Sequence, residues 1–250
     1  MPIFDVQLYL DTLGIKAPTT VSLSFLSKLQ REHLYTIPFE NLDIQRKVPI
    51  QLDLAHLFEK IILRGRGGFC YELNGLLHGL LQALGFNSRL VSARVYDSPR
   101  QYSPAYDHMA IVVQLEGELY LMDVGFGDFA KRPILIVDGT TSSDGTRSYT
   151  VDRYYSYWRI NQLQEGKAIP EYIFKTTPEA WCNFEARSRF HQLDPQSHFQ
   201  KGPVITRLSP WGRMTLTHQK WKLGERVRPL QSKGEFARLL RGYFGIDWEL

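Results

Sequence analysis

Along the chain the apolar positions change spacing twice, and the changes divide it into three parts. Over residues 1–85 they recur at helical intervals. Val21, Phe25 and Leu29 form one such set and Leu54, Leu57 and Ile61 another, which predicts a helical subdomain. The strongest set is Leu73, Leu76, Leu77, Leu80, Leu81 and Leu84, one face of a single helix, with Gly85 placed just past its end. From 86 to 205 the pattern shortens to that of strands, at 88–96, 109–115 and 118–124, separated by turn residues. This predicts a central antiparallel sheet closing into a β-barrel. Residues 206–250 mix a strand pair, 213–217 and 220–223, with a helix over 233–240, and read as an α/β lid. The fold class expected is therefore α+β.

Composition narrows the function classes. Of 250 residues 43% are hydrophobic and 22% charged, the balance of a globular chain with no low-complexity segment. The formal net charge of +4 comes from scattered basic residues, so no nucleic-acid partner is expected; a mild positive excess suits an anionic small molecule. No apolar run approaches the length of a membrane span, and the N-terminus lacks the basic start of a secretory signal, so the protein reads as cytoplasmic with no membrane partner. In that reducing compartment Cys70 and Cys182 are expected to remain thiols. Cys182, among Trp181, Asn183 and Phe184, reads as a packing residue.

Cys70 stands apart. It follows Gly67, Gly68 and Phe69 and opens the leucine-rich helix, and the unpaired N–H groups at a helix N-terminus favour a thiolate. A buried structural thiol beside a glycine-shaped loop is the competing reading, and the partners must decide. His108 precedes the strand at 109–115, and Asp123 closes the strand that follows. Glu116 and Gly117 between them make a two-residue hairpin turn. With 115 opposite 118, residue 110 falls opposite 123 and 108 opposite 125, so His108 and Asp123 share a face as diagonal neighbours. A four-residue loop would set them directly opposite, and an odd loop or a bulge would part them. A cysteine nucleophile, an imidazole to take its proton and a carboxylate to hold the imidazole together make an acyl-transfer site. His78 lies two turns along the helix from Cys70, too far to serve as its base. The remaining Cys and His spacings match no zinc site, and Gly65, Gly67 and Gly68 lack the lysine and hydroxyl of a phosphate loop, so no metal is expected.

With these blocks in view, the chain resembles the arylamine N-acetyltransferases. The resemblance runs through Ile37-Pro38-Phe39-Glu40-Asn41-Leu42, Arg66-Gly67-Gly68-Phe69-Cys70, His108, Asp123-Val124-Gly125-Phe126-Gly127 and, more weakly, Pro195-Gln196-Ser197-His198-Phe199. It implies a Cys70–His108–Asp123 triad on a papain-like or transglutaminase-like core. It also implies a ping-pong cycle in which acetyl-CoA acetylates Cys70 and an aromatic amine or hydrazine then removes the acetyl group. Phe39, Phe69, Val95, Phe126 and Gly127 would line the donor and acceptor cleft, and Glu40 would pair with Arg66 behind the nucleophile. Three positions depart from the family pattern: Asp107, where a small hydroxyl residue is usual, Asp128, and Ala105. Two additional acids beside the cleft are expected to oppose the phosphates of CoA. Two other readings remain open, a cysteine hydrolase or transglutaminase-like acyl transferase using the same three residues, and a catalytically silent binding protein that keeps the pocket.

Overall fold

Three apolar cores organise the chain. The computed structural model describes residues 4–98 and 101–247. Helices α1 (Val6–Thr12), α2 (Leu23–Thr36), α3 (Leu42–Arg46) and α4 (Leu54–Phe58) precede α5 (Cys70–Ala83), and α4 runs into a wider π turn over Glu59–Leu63. Among these helices three starts carry a side-chain cap: Asp5 accepts the N–H of Leu8, Ser22 that of Phe25 and Asp53 that of His56. The leucine face of α5 behaves as its spacing predicts, with Leu73, Leu76, Leu77, Leu80 and Leu81 all without exposed surface. Each contributes about 1.5–3 kcal/mol of apolar burial. Gly85 takes φ +83°, the left-handed conformation that ends the helix.

The central sheet contains β2 (Asn87–Ser98), β3 (Gln101–Tyr102), β4 (His108–Leu115), β5 (Glu118–Met122), β6 (Ile134–Leu135), β7 (Thr141–Ser143), β8 (Ser148–Tyr154), β9 (Tyr157–Gln164) and β10 (Lys167–Phe174). Its order is β6-β5-β4-β2-β10-β9-β8-β7, with β3 beside β2. The result is a nearly closed, barrel-like antiparallel sheet whose end strands β6 and β7 are joined by a short connection. The β4–β5 register is the one the turn predicts, Leu115 opposite Glu118 through Ile111 opposite Met122. Glu116 (φ 52°) and Gly117 (φ 86°) both take positive φ, as a type I′ turn requires.

Alternation along β4 divides two cores. Met109, Ile111, Val113 and Leu115 face the helices and pack with α5. Ala110 and Val112 face the barrel interior with Val91, Leu121, Ile160 and Tyr172. The third core lies in the C-terminal part, where α7 (Lys233–Phe244) covers a five-stranded sheet. That sheet runs β1 (Phe39–Glu40), β11 (Val204–Ser209), β12 (Gly212–Thr217), β13 (Lys220–Leu223) and β14 (Arg226–Pro229), so an N-terminal strand forms its edge.

Two features differ from the sequence reading. The stretch taken as strands throughout 86–205 contains α6 (Glu185–Leu193), flanked by 3-10 turns at Trp181–Phe184 and His198–Lys201. It is a short helix whose apolar positions are too few to stand out from the surrounding strands. Cys182, expected in the packing, is exposed, because the 3-10 turn that carries it buries Phe184 instead.

Candidate active site

Two glycine-containing segments meet at the start of α5. Glu40 donates its N–H to the carbonyl of Gly68 at 2.9 Å and Phe39 bridges to Gly68, which seats residues 37–42 beside Gly67 and Gly68. A Cβ on Gly67 would lie 2.0 Å from the Pro38 oxygen, so the contact requires glycine. From the other side the loop after β5 comes so near that a Cβ on Gly125 would lie 2.7 Å from Cys70 Cα. Asn41 ties in the third segment: its Nδ2 donates to the carbonyls of Phe199 and Gly202, and its Oδ1 accepts the N–H of Val204.

Cys70 is 3% exposed at the mouth of α5, where the backbone N–H groups of Met109 and Tyr71 favour its charged form. Burial pushes the thiol well above its ordinary range, and the charges of Asp123 and Asp107 push it the same way, outweighing those two N–H groups. The N–H groups at the helix start favour the thiolate, as expected, but burial outweighs them, so the partners decide. A thiolate here needs a positive charge beside it. His108 stands at the same cleft and can carry that charge.

His108 lies on the barrel-interior face of β4, edge-on to Phe126 at 5.1 Å between ring centres, and its Nε2 is 2.6 Å from Asp123 Oδ2. This leaves Nδ1 as the nitrogen for exchange with a thiol. Asp123 is wholly buried and fully occupied. Its Oδ1 accepts from Asn74 Nδ2 and the N–H of Gly125, both at 2.9 Å, and its Oδ2 also accepts the Tyr172 hydroxyl at 3.0 Å. Three partners are fixed donors, and His108 Nε2 donates in the tautomer that leaves Nδ1 free, which together satisfy an ionised carboxylate. Burial, followed by the Asp123 charge, drives the Tyr172 hydroxyl well above its ordinary range and keeps it protonated to donate. Asn74 also donates to the Met109 carbonyl and accepts the N–H of Val124, locking helix, strand and loop together.

Cys70 and His108 share the wall of a cleft of about 710 Å³ with Phe39, Val95, Phe126 and Gly127, within the roughly 300–1,000 Å³ usual for small-molecule sites. Phe69 does not reach it. This ring, expected in the lining, has no exposed surface and lies behind Phe199, 5.8 Å between centres and perpendicular. As the residue before α5 it turns inward, its N–H held by Glu72 Oε2. A second cavity of about 540 Å³, between residues 47–53 and α6, is lined by no cysteine or histidine. Among the described residues no group of three or more His, Cys, Asp or Glu is arranged to hold a metal ion, and no helix is long and apolar enough to cross a membrane.

The acids that looked adverse are neutralised. Asp107 contacts Arg187 at 2.5 Å and His191 Nε2 at 3.0 Å. Burial alone would raise its carboxyl, but the neighbouring His191, Ser103 and Arg187 side chains hold it below the usual range. Asp128 bridges Arg147 at 2.7 Å and Arg213 at 2.8 Å. Behind the nucleophile the expected Glu40–Arg66 pair, at 2.7 Å, extends through Asp43 to Lys60 and Glu72. The sequence reading assigned no role to Asn74, Tyr172, Asp43, Lys60 or Glu72. Asn74 alone leaves a visible trace, a polar side chain one turn after Cys70 among leucines that are all buried.

Comparison with known proteins agrees with this geometry. The N-acetyltransferase family model matches residues 22–250. The arylamine N-acetyltransferase of Mycolicibacterium smegmatis is 32% identical over 97% of this chain and 92% of its own length. The solved arylamine N-acetyltransferase of Mycobacterium marinum superposes with a TM-score of 0.90 at 28% identity, over 97% of this chain and 93% of that one. The Bacillus cereus enzyme, described as having a Cys-His-Glu catalytic triad, gives 0.89 at 26% identity over 98% and 100%. The chain belongs to the arylamine N-acetyltransferase family.

Proposed function

We propose that this enzyme moves an acetyl group from acetyl-CoA to the nitrogen of an arylamine or arylhydrazine through an acetylated Cys70. The observation that carries the reading is the buried Cys70 in an aromatic cleft beside a His108 already bonded to Asp123. His108 Nδ1 takes the thiol proton, and the thiolate attacks the thioester carbonyl. Collapse of the tetrahedral adduct expels the CoA thiolate, which recovers the proton from the imidazolium. In the second half the amine nitrogen attacks the acetyl-cysteine, gives a proton to His108, and Cys70 leaves as thiolate and is reprotonated. Asp123 fixes the ring and stabilises its charged form.

Phe39, Val95, Phe126 and Gly127 form the apolar walls for the pantetheine arm and acceptor ring, with Lys201 on the cleft wall for the phosphates. Because Asp107 and Asp128 are paired to arginines, they offer those phosphates little net repulsion. We also infer that residues 1–85, 86–205 and 206–250 act as nucleophile-bearing, base-bearing and lid parts, and that the enzyme works in the cytoplasm, where Cys70 and the exposed Cys182 stay reduced.

The test is to mix the protein with acetyl-CoA alone and follow both CoA release and intact mass. One equivalent of CoA and one added acetyl group, absent in Cys70→Ala and lost on adding an arylhydrazine, are expected. A reactive Cys70 that never acetylates would instead move a hydrolase acting on another acyl substrate to first place.

A further inference from the structure

Asp107, the residue before the base, is gripped from a separate element. Arg187 and His191 stand one turn apart on α6, so both side chains leave the same helix face. They converge on one carboxylate oxygen: Arg187 Nε donates to Asp107 Oδ1 at 2.6 Å, its Nη2 lies at 2.5 Å, and His191 Nε2 at 3.0 Å. The far ends are also fixed. The Arg187 guanidinium lies over the Phe190 ring at 3.9 Å, and His191 Nδ1 bonds Ser197 Oγ at 3.1 Å. Next to Asp107, Tyr106 is held in the left-handed region (φ 64°) by Ser92 Oγ on its N–H and by the Tyr71 hydroxyl on its carbonyl. Residues 106 and 107 thus join the start of β4 to both α5 and α6, and His108 follows directly.

We propose that Asp107, held by Arg187 and His191 of α6, is a positioning residue that sets the charge balance felt by Cys70 and His108. This rests on the catalytic reading above. Sharing the cleft with Asp107 are Arg187 and His191 from α6, Cys70 from α5, His198 from the following turn, Ser103 from the preceding loop and His108 beside it; the Asp107 charge also reaches Tyr71 of α5, and the Asp123 charge also reaches Cys70. Asp107 is the negative member that acts on Cys70, and Arg187 offsets it. Removing one or the other therefore has opposite consequences for the thiolate. A structural tie would lose function equally whichever end was cut.

The experiment follows iodoacetamide labelling of Cys70 across pH 5 to 9.5 in the full-length protein, with Cys182 as internal reference. Asp107→Asn is expected to lower the midpoint of the labelling profile and Arg187→Gln to raise it. Each shift should be about one pH unit, the order expected for a unit charge several ångströms away at an effective dielectric of about 20. Arg187→Lys should restore the midpoint towards the wild type. If Asp107→Asn does not fold, the Arg187→Gln and Arg187→Lys pair still decides. Shifts in the same direction, or unchanged midpoints with uniformly slower labelling, overturn the proposal. A wild-type Cys70 labelled no faster than Cys182 overturns instead the catalytic reading beneath it.

Discussion

On one side of the Cys70 end of α5, Asp123 meets four donors, all neutral except an imidazole that gains and loses a proton. On the other side, Glu40, Asp43 and Glu72 are bridged, among the described ion pairs, by Lys60 and Arg66. The acids of both networks are buried and both networks touch the first turn of α5, yet they do different work. The Asp123 network is matched to a charge that appears on His108 during turnover and then vanishes. The Glu40–Glu72 network takes no part in the proton transfers of turnover, and its bonds staple residues 37–46, the π turn and the start of α5 together. Breaking the first should therefore cost rate with little fold, and breaking the second should cost fold first.

The largest effect is expected for Asp123→Asn. An amide keeps an oxygen for Asn74 and Gly125 but presents an NH₂ to His108 Nε2, which forces the ring proton onto Nδ1. His108 can then no longer take the proton of Cys70. Acetylation of Cys70, measured as single-turnover CoA release, should fall by about 10³- to 10⁴-fold, with the urea midpoint nearly unmoved. A loss under tenfold would mean that Asp123 is only a structural acid.

Arg66→Met should show the opposite profile. It removes the bonds to Glu40 at 3.1 and 2.7 Å and to Asp43 at 2.9 Å, leaving Glu40 without exposed surface and with the Leu42 N–H as its remaining donor. Stranding a buried charge costs about 3–5 kcal/mol, to be read by urea unfolding. Whatever fraction stays folded should still acetylate at close to the normal rate. A stability change under about 1 kcal/mol would show that the cluster relaxes without its arginine.

The contrast also marks what a sequence makes legible. The β4–β5 register, the helix opened by Cys70 and the His108–Asp123 face follow from spacing, because each depends on residues close in the chain or on one turn. The resemblance to known acetyltransferases added Glu40 with Arg66. What stayed hidden is set by contacts across long separations: Tyr172 to Asp123, Arg187 to Asp107, Arg213 to Asp128, and β1 paired to β11. Periodicity reports which face is apolar and not which distant polar group completes it. Phe69 failed for a related reason: an aromatic beside a nucleophile suits a cleft wall or a core equally well, and only the placement of Phe199 decides between them.

The smallest expected effect tests whether the acid-rich network truly carries a surplus charge. Burial, with Glu40 adding to it, raises Glu72 from its ordinary carboxyl range to about 7, against the pull of Lys60 and the Phe69 N–H. A raised acid binds its proton more tightly folded than unfolded, so its contribution to stability is intact below the unfolded value. It is then lost as pH climbs through about 7. The stability of the wild type relative to Glu72→Gln should therefore decline between about pH 4.5 and pH 7 by on the order of 3 kcal/mol, and level off above. Urea unfolding of both proteins at half-unit intervals reads it directly. A relative stability that rises over the same interval would mean that Lys60 and Arg66 more than balance the three acids. The two networks would then differ in position alone, and not in the charge they are built to hold.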